Sequence, residues 1–375
     1  MGIYIYLLAL VIASNFIVTS LDIKSKNKRI IFLFISFVAV FLLYSLRDSG
    51  VGRDVPGYER DYLLTAKIKW SDYSYIYFEN GYIFLMKICN KLSLSFQQFL
   101  IIINLIILVP VFVFCDKYSK SPFLSVMTYI CYMFFEFNLT GLRQGIATSI
   151  VLIGIMVLLK SRRFGLIKYV VIVYIATLFH TGAFIGFFYI PFHFLKREKI
   201  YMPIIVALAL IFLFGREYIL SFIKLVFGKK SMNVMAELYI GVNFLFLAGL
   251  AIMFIIAQKN REIRFDSVTN CIQDSRILKT TKEWQDYYVN EVFNKMYLLS
   301  ICALLLFGSD TTARSYMIFN QVILVLLPNC IEDLIAEDSK GIVKVLFVVF
   351  LIAFFFSNTL LANNFDIVPY KFFWQ

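Results

Sequence analysis

Residues 97–115 read QQFLIIINLIILVPVFVFC, nineteen positions without a charge. A helix needs about 20 largely apolar residues to cross the hydrocarbon core of a bilayer, so this run is long enough to span it. Similar runs lie at 2–20, 30–45, 122–138, 142–160, 200–215, 237–257, 290–308, 314–331 and 341–357. The stretch 164–195 has room for two shorter spans, divided near His180-Thr181-Gly182. Only helices and closed barrels satisfy their backbone groups inside lipid. The expected fold is therefore all-α, a polytopic integral membrane protein with about twelve helices in a single transmembrane domain over 1–375.

Composition agrees. Of 375 residues, 61% are hydrophobic and 16% charged, with a mean hydropathy of +0.80, unlike any soluble globular domain. There are 41 Phe and 23 Tyr against 17 Gly and 7 Pro, which favours long helices with bulky faces. The net charge of +12 belongs to cytoplasmic loops. No nucleic-acid partner is expected, because no basic patch is interleaved with stacking aromatics. Cys89, Cys115, Cys131, Cys271, Cys302 and Cys330 form no CxxC pair, so neither a disulfide framework nor a zinc site is indicated. The N-terminal run lacks a basic n-region and reads as a retained helix.

Loop charges set the orientation. Lys24, Lys26, Lys28 and Arg29 follow the first run; Lys160, Arg162 and Arg163 follow the fifth; Lys196, Arg197 and Lys199 follow the seventh. The linker 258–289 carries Lys259, Arg261, Arg264, Arg276, Lys279 and Lys282. The positive-inside rule places all four in the cytoplasm and both termini outside. The segment 81–92, GYIFLMKICNKL, is apolar but short and contains two lysines. It is read as an interfacial or re-entrant helix within an external loop 46–96.

On this topology the costly polar residues gather at one external face. Arg47-Asp48 and Arg53-Asp54 flank two glycines, so the loop can present guanidinium groups to phosphate or sugar beside a carboxylate base. The alternative is arginines snorkelling in local ion pairs at a helix end. Tyr58 follows in the same loop, where Glu59, Arg60 and Asp61 read as solvated charges. Glu79 opens the short segment, either as a helix cap or as a contact to a substrate hydroxyl. Arg143-Gln144 begins the fifth run, where a cation opposes the helix dipole and an anion is the natural partner, an ion pair to Asp48 or Asp54 being the alternative. His180 sits where two apolar runs meet, either a satisfied structural donor or a site residue. Arg314 repeats the pattern of Arg143, and two such arginines can clamp a pyrophosphate. No P-loop, HExxH, GxSxG or DxD motif is present. Metal-independent chemistry without a cofactor is expected, with arginine at the leaving group.

The ordered set RD…GRD…Y, then E-x-G-Y, N-L-T-G-L-R-Q at 138–144, H-T-G-A at 180–183 and an Arg-led late run, resembles the EpsG/Wzy family of bacterial polysaccharide polymerases over roughly residues 40–320. Family patterns commonly have N-x-x-R-Q; here the spacing from Asn138 to Arg143 is one residue longer. The resemblance implies a GT-C-like architecture and an enzyme of O-antigen, capsule or exopolysaccharide synthesis. Such an enzyme transfers a glycan from undecaprenyl pyrophosphate to the non-reducing sugar of another lipid-linked repeat unit, at the periplasmic face of the inner membrane. Its implied partners are that lipid-linked oligosaccharide, membrane lipid and a chain-length regulator. In this frame Arg143 and Arg314 stabilise the leaving pyrophosphate, and Asp54 is the base with His180 as second choice. Arg47, Asp48, Arg53, Tyr58, Glu79 and Gln144 bind substrate. An O-antigen ligase shares the chemistry and is the nearest rival. A lipid-linked oligosaccharide flippase is the rival of another class, and would need charges through a central cavity rather than at one face.

Overall fold

The structure is a computed structural model, and it describes residues 1–69, 76–161, 163–195, 198–227, 242–269, 281–307 and 316–375. Their regular secondary structure is helical, apart from one isolated β-bridge. They form two compact units, Met1–Thr181 with Ile335–Gln375, and Gly182–Leu334, where the sequence reads as one domain.

The first unit opens with α1 (Gly2–Ser20) and α2 (Ser25–Ser45). Next come the short pair α3 (Val55–Lys67) and α4 (Asn80–Lys91), then α5 (Phe96–Tyr118). After them run α6 (Pro122–Cys131), α7 (Phe134–Thr140), α8 (Leu142–Lys160) and α9 (Gly165–Thr177). The start of α5 is written locally. Ser95 and Gln98 form a capping box, with the Ser95 hydroxyl accepting from Gln98 N–H at 3.3 Å and the Gln98 side chain accepting from Ser95 N–H at 2.8 Å. Its far end is closed by Arg29 from α2, which pairs with Asp116 at 2.8 Å and donates to the carbonyls of Cys115 and Ser119. Ser149 of α8 donates to Ile107 O of α5 at 2.8 Å, one of the small polar links that let membrane helices pack closely.

The expected interfacial segment 81–92 is α4, twelve residues long. At 1.5 Å per residue it is too short to cross a bilayer. Its buried Lys87 donates to the carbonyls of Ile68 and Lys69, both at 2.8 Å, closing the C-terminal end of α3. That explains a lysine in an apolar segment.

The second unit follows a 3₁₀ segment, Thr181–Phe188. It holds α10 (Tyr189–His193), α11 (Glu198–Phe214), α12 (Arg216–Phe227) and α13 (Val242–Thr269). Then come α14 (Lys282–Phe307), α15 (Met317–Asn320) and α16 (Ile323–Leu334). The chain returns to the first unit as α17 (Glu337–Phe354), which runs on as π-turns over Phe355–Leu361.

Among the described residues six helices are long and apolar enough to cross a membrane, or eight if two bent pairs count as single spans. The shortfall from twelve runs has identifiable causes. The run 122–138 is bent by 57° between α6 and α7, and the run beyond His180 becomes a 3₁₀ turn and a five-residue helix. The runs 237–257 and 314–331 begin outside the described residues.

The linker 258–289 is largely helix where it is described, as the end of α13 and the start of α14. Arg261, read from sequence as a loop charge, is 2% exposed and pairs with Asp333 at 2.6 Å. Lys295 and Glu291 form a second buried pair on α14 at 2.5 Å. Isolated charges in such surroundings would be prohibitive, so pairing is the condition of their burial.

Candidate functional site

The site residues named from sequence and described in the structure all lie in the first unit, at the ends of its helices. Arg143 stands in the first turn of α8. Its guanidinium pairs with Glu79 at 2.5 Å and lies 4.3 Å from the Phe78 ring centre and 5.9 Å from the Tyr58 ring centre. Its Nε has no hydrogen-bond partner among the described residues. Glu79 stands at the N-terminal end of α4 but does not cap it. One carboxylate oxygen takes Arg143 and the other accepts from Thr181 N–H at 3.0 Å. A single acid thus joins the start of α8, the start of α4 and the chain beyond α9.

That junction needs a glycine. Gly81 N–H donates to Leu178 O at 2.7 Å, and a Cβ at Gly81 would stand 2.6 Å from the same oxygen. Tyr58, Phe78 and Tyr82 form a ring cluster beside Arg143, with centroids 5.4–5.6 Å apart. A cation backed by aromatic faces is held in one orientation. An ion pair from Arg143 to Asp48 or Asp54 was the alternative to an anion; the acid that Arg143 meets is Glu79, at the start of α4.

Loop 46–54 is shaped mostly by its backbone. Asp48 accepts from Gly50 N–H at 2.9 Å, a local turn, and Gly52 has φ +107°, where a side chain would be strained. Arg47, expected to face substrate, is fully buried. It donates to Tyr44 O and, at 2.7 Å, to Leu139 O, tying α2 to α7. Burial pulls its guanidinium down to about 10. Its role here is to hold two helices together. Arg53 is half exposed and pairs with Asp366 at 3.2 Å. Asp54 stands at the N-terminal end of α3, partly buried, one helical turn before Tyr58.

His180 is partly buried just past the end of α9, adjacent to the Thr181 N–H that Glu79 holds. Gln144 is buried in α8. Arg314 lies outside the described residues. The structure therefore brings Tyr58, Glu79, Arg143 and the chain at His180 into one neighbourhood, with Asp54 one turn away on α3.

Two residues beside these side chains, and one buried acid elsewhere in the first unit, were not singled out from sequence. Phe78 backs Arg143, and Asp366 reaches Arg53 from the far end of the chain. Glu136, on α7, is 3% exposed, and one of its oxygens lacks a partner among the described residues. Only Glu136 left a local signal, a lone acid inside the apolar run FFEFN.

A family model described as the EpsG family matches residues 30–372. The chain belongs to the EpsG family. EpsG proteins are Wzy-like polysaccharide polymerases, so this chain is a multi-pass membrane polysaccharide polymerase of the glycosyltransferase type. The EpsG match takes in the Arg143–Glu79 junction, loop 46–54 and the C-terminal segment as far as Phe372. No curated protein and no solved structure matches the chain.

Proposed function

We propose that this EpsG protein transfers a growing glycan from undecaprenyl pyrophosphate to the non-reducing sugar of a second lipid-linked repeat unit, at the periplasmic face of the bacterial inner membrane. The reading rests on Arg143, a guanidinium fixed by Glu79 and aromatic faces at a helix start. Such a group suits an anionic leaving group, since preorganised charge aimed at developing charge is usually the largest catalytic term.

In the reaction the acceptor hydroxyl oxygen attacks the anomeric carbon. The bond from that carbon to the phosphate oxygen breaks, and its electron pair leaves with the pyrophosphate. Arg143 neutralises that charge in place of a metal ion. Arg314 is assigned the same work from its position at the start of a late apolar run. The hydroxyl proton passes to Asp54, with His180 as second choice, a contribution of about 10²–10⁴-fold. Arg53, Tyr58 and Gln144 orient the sugars and diphosphate. Glu79 holds Arg143 in register, and Arg47 and Asp48 keep the loop in shape.

Gel banding of surface polysaccharide and extraction of carrier lipid from a deletion strain test the reading. A polymerase's loss leaves single repeat units, exported and still joined to the surface acceptor where one exists. Long polymer stranded on undecaprenyl pyrophosphate would instead mark a ligase. Single units held on the carrier at the cytoplasmic side would mark a flippase.

A further inference from the structure

Loop 46–54 connects α2 to α3 and carries two glycines, so its own sequence does little to hold it in one shape. Apart from the Asp48–Gly50 turn and the Arg47 anchor to Tyr44 and Leu139, its order comes from the other end of the chain. Asp48 N–H donates to Lys371 O at 2.9 Å, Gly52 N–H to Asp366 O at 2.9 Å, and Arg53 N–H to Phe365 O at 2.8 Å. Phe373 N–H returns a bond to Leu46 O at 3.0 Å, and Arg47 and Phe372 pair as an antiparallel bridge. Two tyrosines fasten the same segment to the helices. The Tyr4 hydroxyl donates to Ile367 O at 2.7 Å and the Tyr370 hydroxyl to Leu43 O at 2.8 Å.

The segment also holds its own shape. Asn363 Oδ1 accepts from the N–H groups of Ile367 and Val368, both at 3.0 Å, and its Nδ2 donates to Val368 O at 2.7 Å. Asn363 and Asp366 take left-handed backbone, φ 47° and 52°, which Asn and Asp tolerate better than most residues. One residue beyond the last of these loop contacts is Asp54. The Arg53 side chain stays about half open while its Nε meets Asp366. An ion pair this exposed binds weakly, so it aims the guanidinium without locking it away.

We propose that residues 363–373 form a strap that sets the geometry of loop 46–54, and that Asp366 is a positioning residue which presents Arg53 to the anionic group of the substrate. The role of Arg53 rests on the polymerase reading above. The strap itself does not.

The test separates the two. In protein lacking its native cysteines, Ser49→Cys is labelled with an impermeant maleimide. Asn363→Ala and deletion of 363–375 should each raise the labelling rate several-fold, and Asp366→Asn should leave it unchanged. With lipid-linked repeat unit extracted from a deletion strain, Asp366→Asn should raise KM several-fold with kcat little changed. The exchange of Arg53→Asp with Asp366→Arg should not restore KM. Unchanged Ser49→Cys labelling in Asn363→Ala overturns the strap, whatever the polymer assay shows. Full recovery in the exchanged pair reduces Asp366 to a structural link.

Discussion

Glu79 and Arg143, 64 residues apart in the chain, meet at 2.5 Å, and the second oxygen of Glu79 holds the Thr181 N–H. The acid does not cap its own helix. It spends both oxygens on neighbours, so the cation at the start of α8 is held in one orientation. Both side chains are largely shielded, 14% exposed for Glu79 and 22% for Arg143, which strengthens a charge-assisted hydrogen bond relative to water.

Glu79→Gln keeps the shape of the side chain and removes its charge. Polymer formed per unit of protein should fall roughly 10–100-fold, the range for losing a charge-assisted partner. Normal yield at normal protein level would mean Arg143 keeps its aim without the carboxylate.

Arg143→Lys retains charge but loses the planar fork. Activity should drop about 10²-fold, the usual loss when one donor to a developing anion is removed. Arg314→Lys should behave alike. Polymer length and amount on a gel measure both, and near-normal product from either variant would make that residue a simple counter-charge.

The base is assigned by substitution. Asp54→Asn should cut turnover by about 10²–10⁴-fold while binding of the lipid-linked substrate persists. Full activity in Asp54→Asn with loss in His180→Gln transfers the role to His180. Loss of binding in both would mark the two residues as structural.

Gly81→Ala tests the junction without touching a charged group. The added Cβ meets Leu178 O at 2.6 Å, so α4 must shift away from the end of α9. Thermal unfolding in detergent should show a loss of about 1–3 kcal/mol, typical of overpacking. Activity should fall with it, because Glu79 shares the displaced segment. An unchanged melting temperature would show that the two helix ends are not packed so closely.

Orientation is checked by labelling. Ser49→Cys and Ser267→Cys, each in protein without its native cysteines, should react oppositely with an impermeant thiol reagent, Ser49→Cys from outside. Reaction of both from outside would remove the positive-inside assignment.

Hydropathy alone was enough to show that this is an all-helical membrane protein. Uncharged runs such as 97–115 have no other stable form in lipid, and each declares itself within about 20 residues. Arg143 was legible too, as a cation at a helix start that capping does not explain. So was the break at His180, where α9 ends and a 3₁₀ turn follows. The partner of Arg143 was not legible, since its candidates in sequence were Asp48 and Asp54 and the choice of Glu79 depends on which helix ends abut. Arg47 looked like its neighbour Arg53, yet one is fully buried against backbone carbonyls and the other is half exposed. The strap from 363–373 left no local pattern, because its bonds to loop 46–54 run between main-chain groups that every residue carries. Local composition decides which segments enter the membrane. Only tertiary packing decides which polar groups meet, because ion pairs and backbone hydrogen bonds are set by proximity in space and are blind to distance along the chain.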